Sequence, residues 1–275
     1  MKMTQKIKLT ICYVLLAVGA ISMLLPFIWM VSTSLKTAGE ATAMPPIWIP
    51  KNWKFSNYVT AWNAAPFGRY MINSIIVTTF STLGELVTTI FAAFAFAKLQ
   101  FYGKNLIFTI LMGTMMVPGE LLLIPNFVTL SRFGWINTFF ALIVPWLASV
   151  FSIFMLRQTF QSVPNEIYYA AKVDGASDFR FLWEVMVPLG KSSIVAIAVL
   201  KIIGSWNSFV WPLIVTNEQS MRTLPVGLQA FTTEAGTKFQ LLMAASTIVI
   251  IPMVVIYIFL QKYIIAGISK SGIKG

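Results

Sequence analysis

Between Lys8 and Lys36 the chain carries no charged residue, and residues 9–31 read LTICYVLLAVGAISMLLPFIWMV. About 20 apolar residues in a helix cross the ~30 Å hydrocarbon core of a bilayer. Only a helix or a closed barrel pairs all its backbone polar groups there. The basic start MKMTQKIK resembles a signal peptide, but the apolar run exceeds the usual hydrophobic region of one, so it is read as a retained first span. Comparable runs recur, giving segments at roughly 9–33, 72–97, 105–125, 137–156, 192–215 and 241–261. The expected fold is an all-α membrane protein with six transmembrane helices in a single domain over 1–275. Pro118, Gly119 and Glu120 interrupt the third run and Pro125 closes it, so a kinked or early-ending helix is expected there.

Charged residues make up 11% of the chain, less than half of the ~25% usual in soluble domains. The formal net charge of +11 is spread over short segments between apolar runs rather than gathered on a polar face, which argues against nucleic acid and for a topology signal. With the N-terminus inside, twelve Lys and Arg residues fall on the cytoplasmic side and seven outside, with Lys201 within a span, which accounts for all twenty. Both termini are therefore expected in the cytoplasm of a bacterial plasma (inner) membrane. The longest cytoplasmic segment is then 157–191, and the long outer segments are 34–71 and 216–240.

The chain has no histidine and one cysteine, Cys12. Without those side chains a Cys/His metal site, a Ser-His-Asp triad or a Cys-His pair cannot be built, so no catalytic residue and no metal are expected. No G-x-x-x-x-G-K-[ST] phosphate loop is present either, so the chain binds no ATP by that route.

The segment 162–189 differs from its surroundings. Ser162 can cap a helix with Pro164 and Glu166 in its first turn. That helix should end at Gly175, which reaches the left-handed conformation without a Cβ penalty. Ser177 can cap a second helix, with Pro188 after its end. Helical spacing places Val163, Ile167, Ala170, Ala171 and Asp174 on one face of the first, and Phe179, Leu182, Trp183 and Met186 on one face of the second. Two such helices either pack on their own bundle or lie in the lipid interface, or they dock a soluble partner with Phe179 or Trp183 as anchors.

The order P-x-E, three residues, AA, two residues, DGAS, then Phe181 and Val187-Pro188-Leu189, resembles the cytoplasmic coupling loop of membrane subunits of binding-protein-dependent ABC importers. Glu166, Ala170, Ala171, Asp174, Gly175 and Ala176 carry the match, and Tyr169 stands where that motif has a glutamate. The stretches NSIIVTTFSTLGELVTTIFAAFAFAKLQFYGKN, SWNSFVWPLIV and TLPVGLQAF resemble the sugar-importer branch, as the maltose-transporter-type second permease subunit. The resemblance implies a second permease subunit, two copies of a cytoplasmic ATPase that use ATP and Mg, an extracytoplasmic solute-binding protein, and surrounding membrane lipid as partners. It also implies alternating access driven through the loop. The segment 216–240 would be either an ordinary loop turning at Gly227 and Gly236 or a finger reaching the binding protein, and the tail 270–275 either disordered or part of the ATPase interface. The alternatives are a permease for a non-sugar solute, or a secondary transporter or channel without an ATPase.

Glu85 and Lys201 lie inside expected spans, where a lone charge costs at least ~2.5 kcal/mol. They are expected to pair with each other or with a neighbouring permease. In GSWNSFVWPL, the indoles of Trp206 and Trp211 with Asn207 suit a sugar ring, although small and polar residues also serve as helix-packing contacts. Glu85, Lys201, Trp206, Asn207 and Trp211 are thus the candidate substrate-pathway residues.

Overall fold

The computed structural model describes residues 2–233 and 236–269. Four helical stretches are long and apolar enough to cross a membrane: Lys6–Ser34, Phe67–Lys98, Phe139–Gln161 and Phe239–Phe259. Two bent pairs bring the number to six, Lys104–Thr114 with Gly119–Arg132 at 92°, and Asp178–Leu189 with Lys191–Trp206 at 78°. The expected six-span helical fold is therefore present, with the third span broken and the fifth entered through a sharp bend after Leu189. Among the described residues the β-structure is one two-stranded hairpin, Thr232–Thr233 with Gly236–Thr237.

The breaks within the runs 105–125 and 192–215 have local causes. The third helix stops at Thr114 before Val117-Pro118, as the sequence suggested. Pro125 does not close the segment, however. It lies in the first turn of Leu123–Arg132, where the missing N–H has no intrahelical partner to lose. The run 192–215 is not one helix either. Helix Lys191–Trp206 ends with Asn207 at its C-cap, and Val210–Val215 restarts with Pro212 in its first turn. A continuous helix would have needed the absent N–H of Pro212 to meet the carbonyl of Ser208.

The chain divides into two compact units. The first comprises 1–67 and 227–252. Its first helix buries none of its apolar window. Just beyond it Lys36 lies over the Trp29 ring at 3.6 Å, and Trp29 packs edge-on against Trp48 at 4.9 Å. Burial lowers the pKa of the Lys36 ammonium, with the nearby Glu40 carboxylate acting in the opposite sense. Asn57 donates to the carbonyls of Ser34 and Lys36, both at 2.8 Å, and so closes the turn after the span.

The second unit comprises 68–226 and, among the described residues, 253–269. One core gathers Ile90, Phe94, Leu156, Phe160, Phe181, Leu182, Met186 and Ile197. A second gathers Val77, Leu130, Leu142, Trp211 and Val215. Fully buried Asn73 donates to the carbonyls of Ser220 and Arg222 at 2.8 and 2.9 Å, and the amide of Leu224 donates to Ser74 at 2.8 Å. These bonds hold the segment after Val215 against the start of the second span. In the long segment 216–240, Gly236 turns at φ 118°, but Gly227 sits in helical conformation at φ −59° and is no turn point. The tail 270–275 lies outside the described residues.

Candidate functional site

The loop between the fourth and fifth spans folds as two helices around Gly175. The first loop helix, Asn165–Val173, ends with Asp174 at the C-cap and Gly175 at φ 79°. The Gly175 amide donates to the Lys172 carbonyl at 3.1 Å and that of Ala176 to the Ala171 carbonyl at 2.9 Å. This double closure is the Schellman arrangement, and it needs a left-handed residue where Gly175 stands. Ser177 caps the second loop helix by accepting from the Arg180 amide at 3.2 Å. Both features agree with the sequence.

Other expectations for the loop need correction. Ser162 does not cap the first loop helix; it is the C-cap of Val150–Gln161 and donates to the Thr159 carbonyl at 2.8 Å, while Pro164 occupies the N-cap. Pro188 does not follow the end of the second loop helix. A π-turn over Leu182–Met186 precedes it, the Val187 amide bonds back to Leu182, and the helix continues through Pro188 to Leu189. The wider turn redistributes the carbonyls that a proline would otherwise leave unpaired.

The buried faces also differ from the helical-wheel expectation. Tyr168 and Ala171 turn the first loop helix inward, and Phe181, Leu182 and Met186 anchor the second. Phe181 meets Phe94 at 6.3 Å and stands edge-on to Tyr168 at 5.1 Å. Ile167, Ala170 and Asp174 are exposed, and so are Phe179 at 62% and Trp183 at 39%; Phe179 stacks on Phe91, Trp183 stands edge-on to it, and the two rings also meet each other at 6.1 Å. Tyr169 is 59% exposed, so the residue replacing the motif glutamate faces outward. Glu166 lies in the first turn of its helix, where a carboxylate complements the positive helix end.

Two residues that the sequence did not single out hold the loop. The buried Lys98 ammonium donates to the carbonyl of Val163 at 2.5 Å and to Asn165 Oδ1 at 2.9 Å, which pins the start of the first loop helix to the end of the second span. Tyr168 donates its hydroxyl to Asp178 Oδ1 at 2.6 Å, and Lys172 pairs with the same oxygen at 2.7 Å. Burial first, then the hydrogen bond and charge of Asp178, push the Tyr168 phenol up to about 12. The two loop helices are thus fastened across their turn.

Within the bundle Glu85 and Lys201 meet at 2.8 Å. The second Glu85 oxygen accepts from Ser152 at 2.7 Å, and Lys201 donates to the Trp146 carbonyl at 2.9 Å. One pair therefore ties the second, fourth and fifth spans. It lines a cavity of about 430 Å³ together with Trp146 and Trp211, whose rings stand 6.0 Å apart and near perpendicular. Trp211 is fixed by its N–H to the Ala141 carbonyl at 2.9 Å. Trp206 and Asn207 do not line this cavity. Trp206 is buried on another face of its helix beside Ile75, Thr78 and Ile256, and Asn207 is the exposed C-cap.

A multi-pass helical membrane protein with a fastened helix-turn-helix between its fourth and fifth spans is the class that this geometry defines. The chain belongs to the family of binding-protein-dependent transport system inner membrane components, which its residues 85–270 match. The diacetylchitobiose uptake system permease protein NgcG of Streptomyces coelicolor is 30% identical over 265 residues, covering 95% of this chain and 87% of NgcG. The arabinooligosaccharides transport system permease protein AraQ of Bacillus subtilis is 32% identical, covering 82% of this chain and 81% of its own. The sn-glycerol-3-phosphate transport system permease protein UgpE of Yersinia pestis is 29% identical, covering 94% and 95%. A crystal structure of a bacterial ABC transporter that imports the acidic polysaccharide alginate contains a chain of similar fold, with a TM-score of 0.83, 25% identity, and coverage of 94% of this chain and 97% of that one. The importer-permease membership implied by the loop motif is thereby established, and these relatives are transport permeases rather than enzymes.

Proposed function

We propose that this chain is the second permease subunit of an ATP-driven sugar importer, forming half of the translocation pathway and carrying ATPase motion through residues 162–189. The observation that carries the reading is the two-sided loop. Its inner face is locked into the bundle by Tyr168, Phe181, Leu182 and Met186, while Ile167, Tyr169, Val173, Phe179 and Trp183 remain exposed apolar surface. An exposed apolar surface on a rigid element is suited to docking. The loop's partner is a cytoplasmic ATPase, present in two copies, which uses the ATP and Mg; this chain binds neither. A second permease completes the pathway, and an extracytoplasmic binding protein delivers the solute. Support for the binding protein comes from the alginate importer, crystallised with a periplasmic protein bound to an alginate pentasaccharide, whose chain shares the fold at 16% identity and a TM-score of 0.66. Both termini lie in the cytoplasm, following the excess of Lys and Arg on that side.

Two of the named relatives are permeases for oligosaccharides, which favours a sugar as cargo. The test is affinity purification of the tagged chain from its own membrane, identification of its partners, and ATP hydrolysis by the reconstituted complex against a panel of loaded binding proteins. A sugar that raises hydrolysis several-fold is expected. Uptake that persists after deletion of the co-purifying ATPase would overturn the proposal.

A further inference from the structure

We propose that the cavity walled by the second, fourth and fifth spans is a subsite of this chain for an uncharged polyhydroxylated solute. This rests on the sugar-importer reading and specifies where and how this subunit contacts its cargo. The volume of about 430 Å³ falls in the range of small-molecule sites. Ser74 and Glu85, on one helix, both line it. Eleven residues at 1.5 Å each make the cavity roughly 16 Å long. It therefore runs from the outer end of the second span down to the ion pair.

The lining carries the chemistry that a sugar unit requires. Trp146 and Trp211 offer flat apolar faces for C–H groups, and the Trp211 ring is held by its bond to Ala141. At the inner end Glu85 and Lys201 are 6% and 13% exposed. Lys201 uses two of its three N–H donors on Glu85 and Trp146, which leaves one for a solute hydroxyl, and each Glu85 oxygen keeps acceptor capacity. At the outer end Thr223 is 4% exposed and lines the cavity, and its hydroxyl has no partner among the described residues. A buried hydroxyl without a partner is costly and is relieved by a ligand that bonds it.

The charge of the site selects the solute class. Glu85 and Lys201 are the charged residues among those lining the cavity, and they cancel. A phosphate or carboxylate brought to this floor would meet the Glu85 carboxylate with no surplus cation, whereas neutral hydroxyls can bond both partners. As a purely structural pin the pair would be a poor choice, since an apolar pair of similar volume is as stable or more so.

Gly204 supplies the test. It lines the cavity, and a Cβ added there meets no atom within 4 Å. Cys12 is the chain's one cysteine. Cys12→Ser with Gly204→Cys, assembled in the whole importer in membrane vesicles, gives a single thiol in the cavity wall, and Ser208→Cys is the second reporter. A charged methanethiosulfonate reagent should label either position. The transported neutral sugar, presented on its binding protein, should slow labelling at least fivefold, while sn-glycerol-3-phosphate should not. Thr79→Cys, beside the separate groove near Trp206, should label at the same rate with and without sugar. Equal rates at Gly204→Cys and Ser208→Cys in either condition, with ATP-dependent uptake by vesicles carrying the unmodified complex intact, would overturn the subsite and leave the importer standing. Failure of either thiol to label without solute would overturn it as well, because a subsite must open to water. Loss of ATP-dependent sugar uptake in the unmodified complex would instead sink the importer reading.

Discussion

Replacing Gly175 isolates the mechanical role of the loop turn. Its φ of 79° lies in the left-handed region, and a Cβ built there meets nothing within 4 Å. The cost of Gly175→Ala is therefore wholly backbone strain, about 1–2 kcal/mol. Asparagine tolerates this conformation better and should cost less, and a β-branched valine should cost more. A penalty of one to two kcal/mol multiplies the open population roughly 5–30-fold. The bonds lost on opening are the Gly175 amide to Lys172 and the Ala176 amide to Ala171. Amide hydrogen exchange over 170–180 in the assembled complex should then accelerate in the order Asn, Ala, Val. Sugar-stimulated ATP hydrolysis should fall in the same order if the turn transmits force. Exchange that stays at the wild-type rate in Gly175→Val would refute the strain argument. Exchange that accelerates while coupling is unchanged would refute the transmission argument.

Glu85→Gln or Lys201→Met alone should destabilise the complex by about 3–5 kcal/mol, because each strands a buried charge, whereas the double replacement by apolar residues should be close to neutral; thermal unfolding of the complex checks both. Gly190→Ala should lower the melting temperature, since its Cβ would lie 2.7 Å from Phe160 Cε1, an overpacking worth about 1–3 kcal/mol. Phe179→Ala and Trp183→Ala should leave the melting temperature within a few degrees of wild type while weakening co-purification of the ATPase, as expected for exposed anchors. The Tyr168 phenol, raised to about 12 from 10.0, adds stability that is complete below the unfolded value of 10.0 and is lost as pH rises toward 12. Tyr168→Phe should remove that part of the pH dependence of loop exchange above pH 10.0.

Much of the fold was legible because lipid leaves a chain few choices. The apolar runs marked the spans, and Pro118 and Gly119 marked a broken one. Gly175 and Ser177 were legible because left-handed turns and caps are set by single residues. The loop faces were not. Apolar and aromatic residues occur around most of the second loop helix, so the wheel admits a stripe through Phe179 and Trp183 as readily as one through Phe181. Packing on Phe94 and Tyr168 chose the latter. The π-turn before Pro188 was hidden because no Gly or other turn residue marks Leu182–Met186, which reads as ordinary helix. In the membrane, Glu85 and Lys201 announced themselves as charges within apolar runs. Ser152 and Trp146 gave no such signal, being 67 residues from Glu85 and 55 from Lys201 in the chain. Lys98 looked like one more basic residue at a span end, and only its bonds to Val163 and Asn165 reveal it as an anchor.

The bend at Gly190 has a mechanical meaning. Across the 78° change of direction the backbone bonds continue, Gly190 to Met186 at 2.8 Å and Ile194 to Gly190 at 3.0 Å, and Phe160 fills the inside of the corner. The second loop helix and the fifth span therefore form a crank with a stiff elbow. At 1.5 Å per residue its arms are roughly 20 Å from Ser177 to the elbow and roughly 16 Å from the elbow to Lys201. Arms of comparable length preserve most of a displacement, a gain of roughly 0.8. A push of a few ångströms delivered at the turn would arrive beside the Glu85–Lys201 pair little diminished, redirected through nearly a right angle.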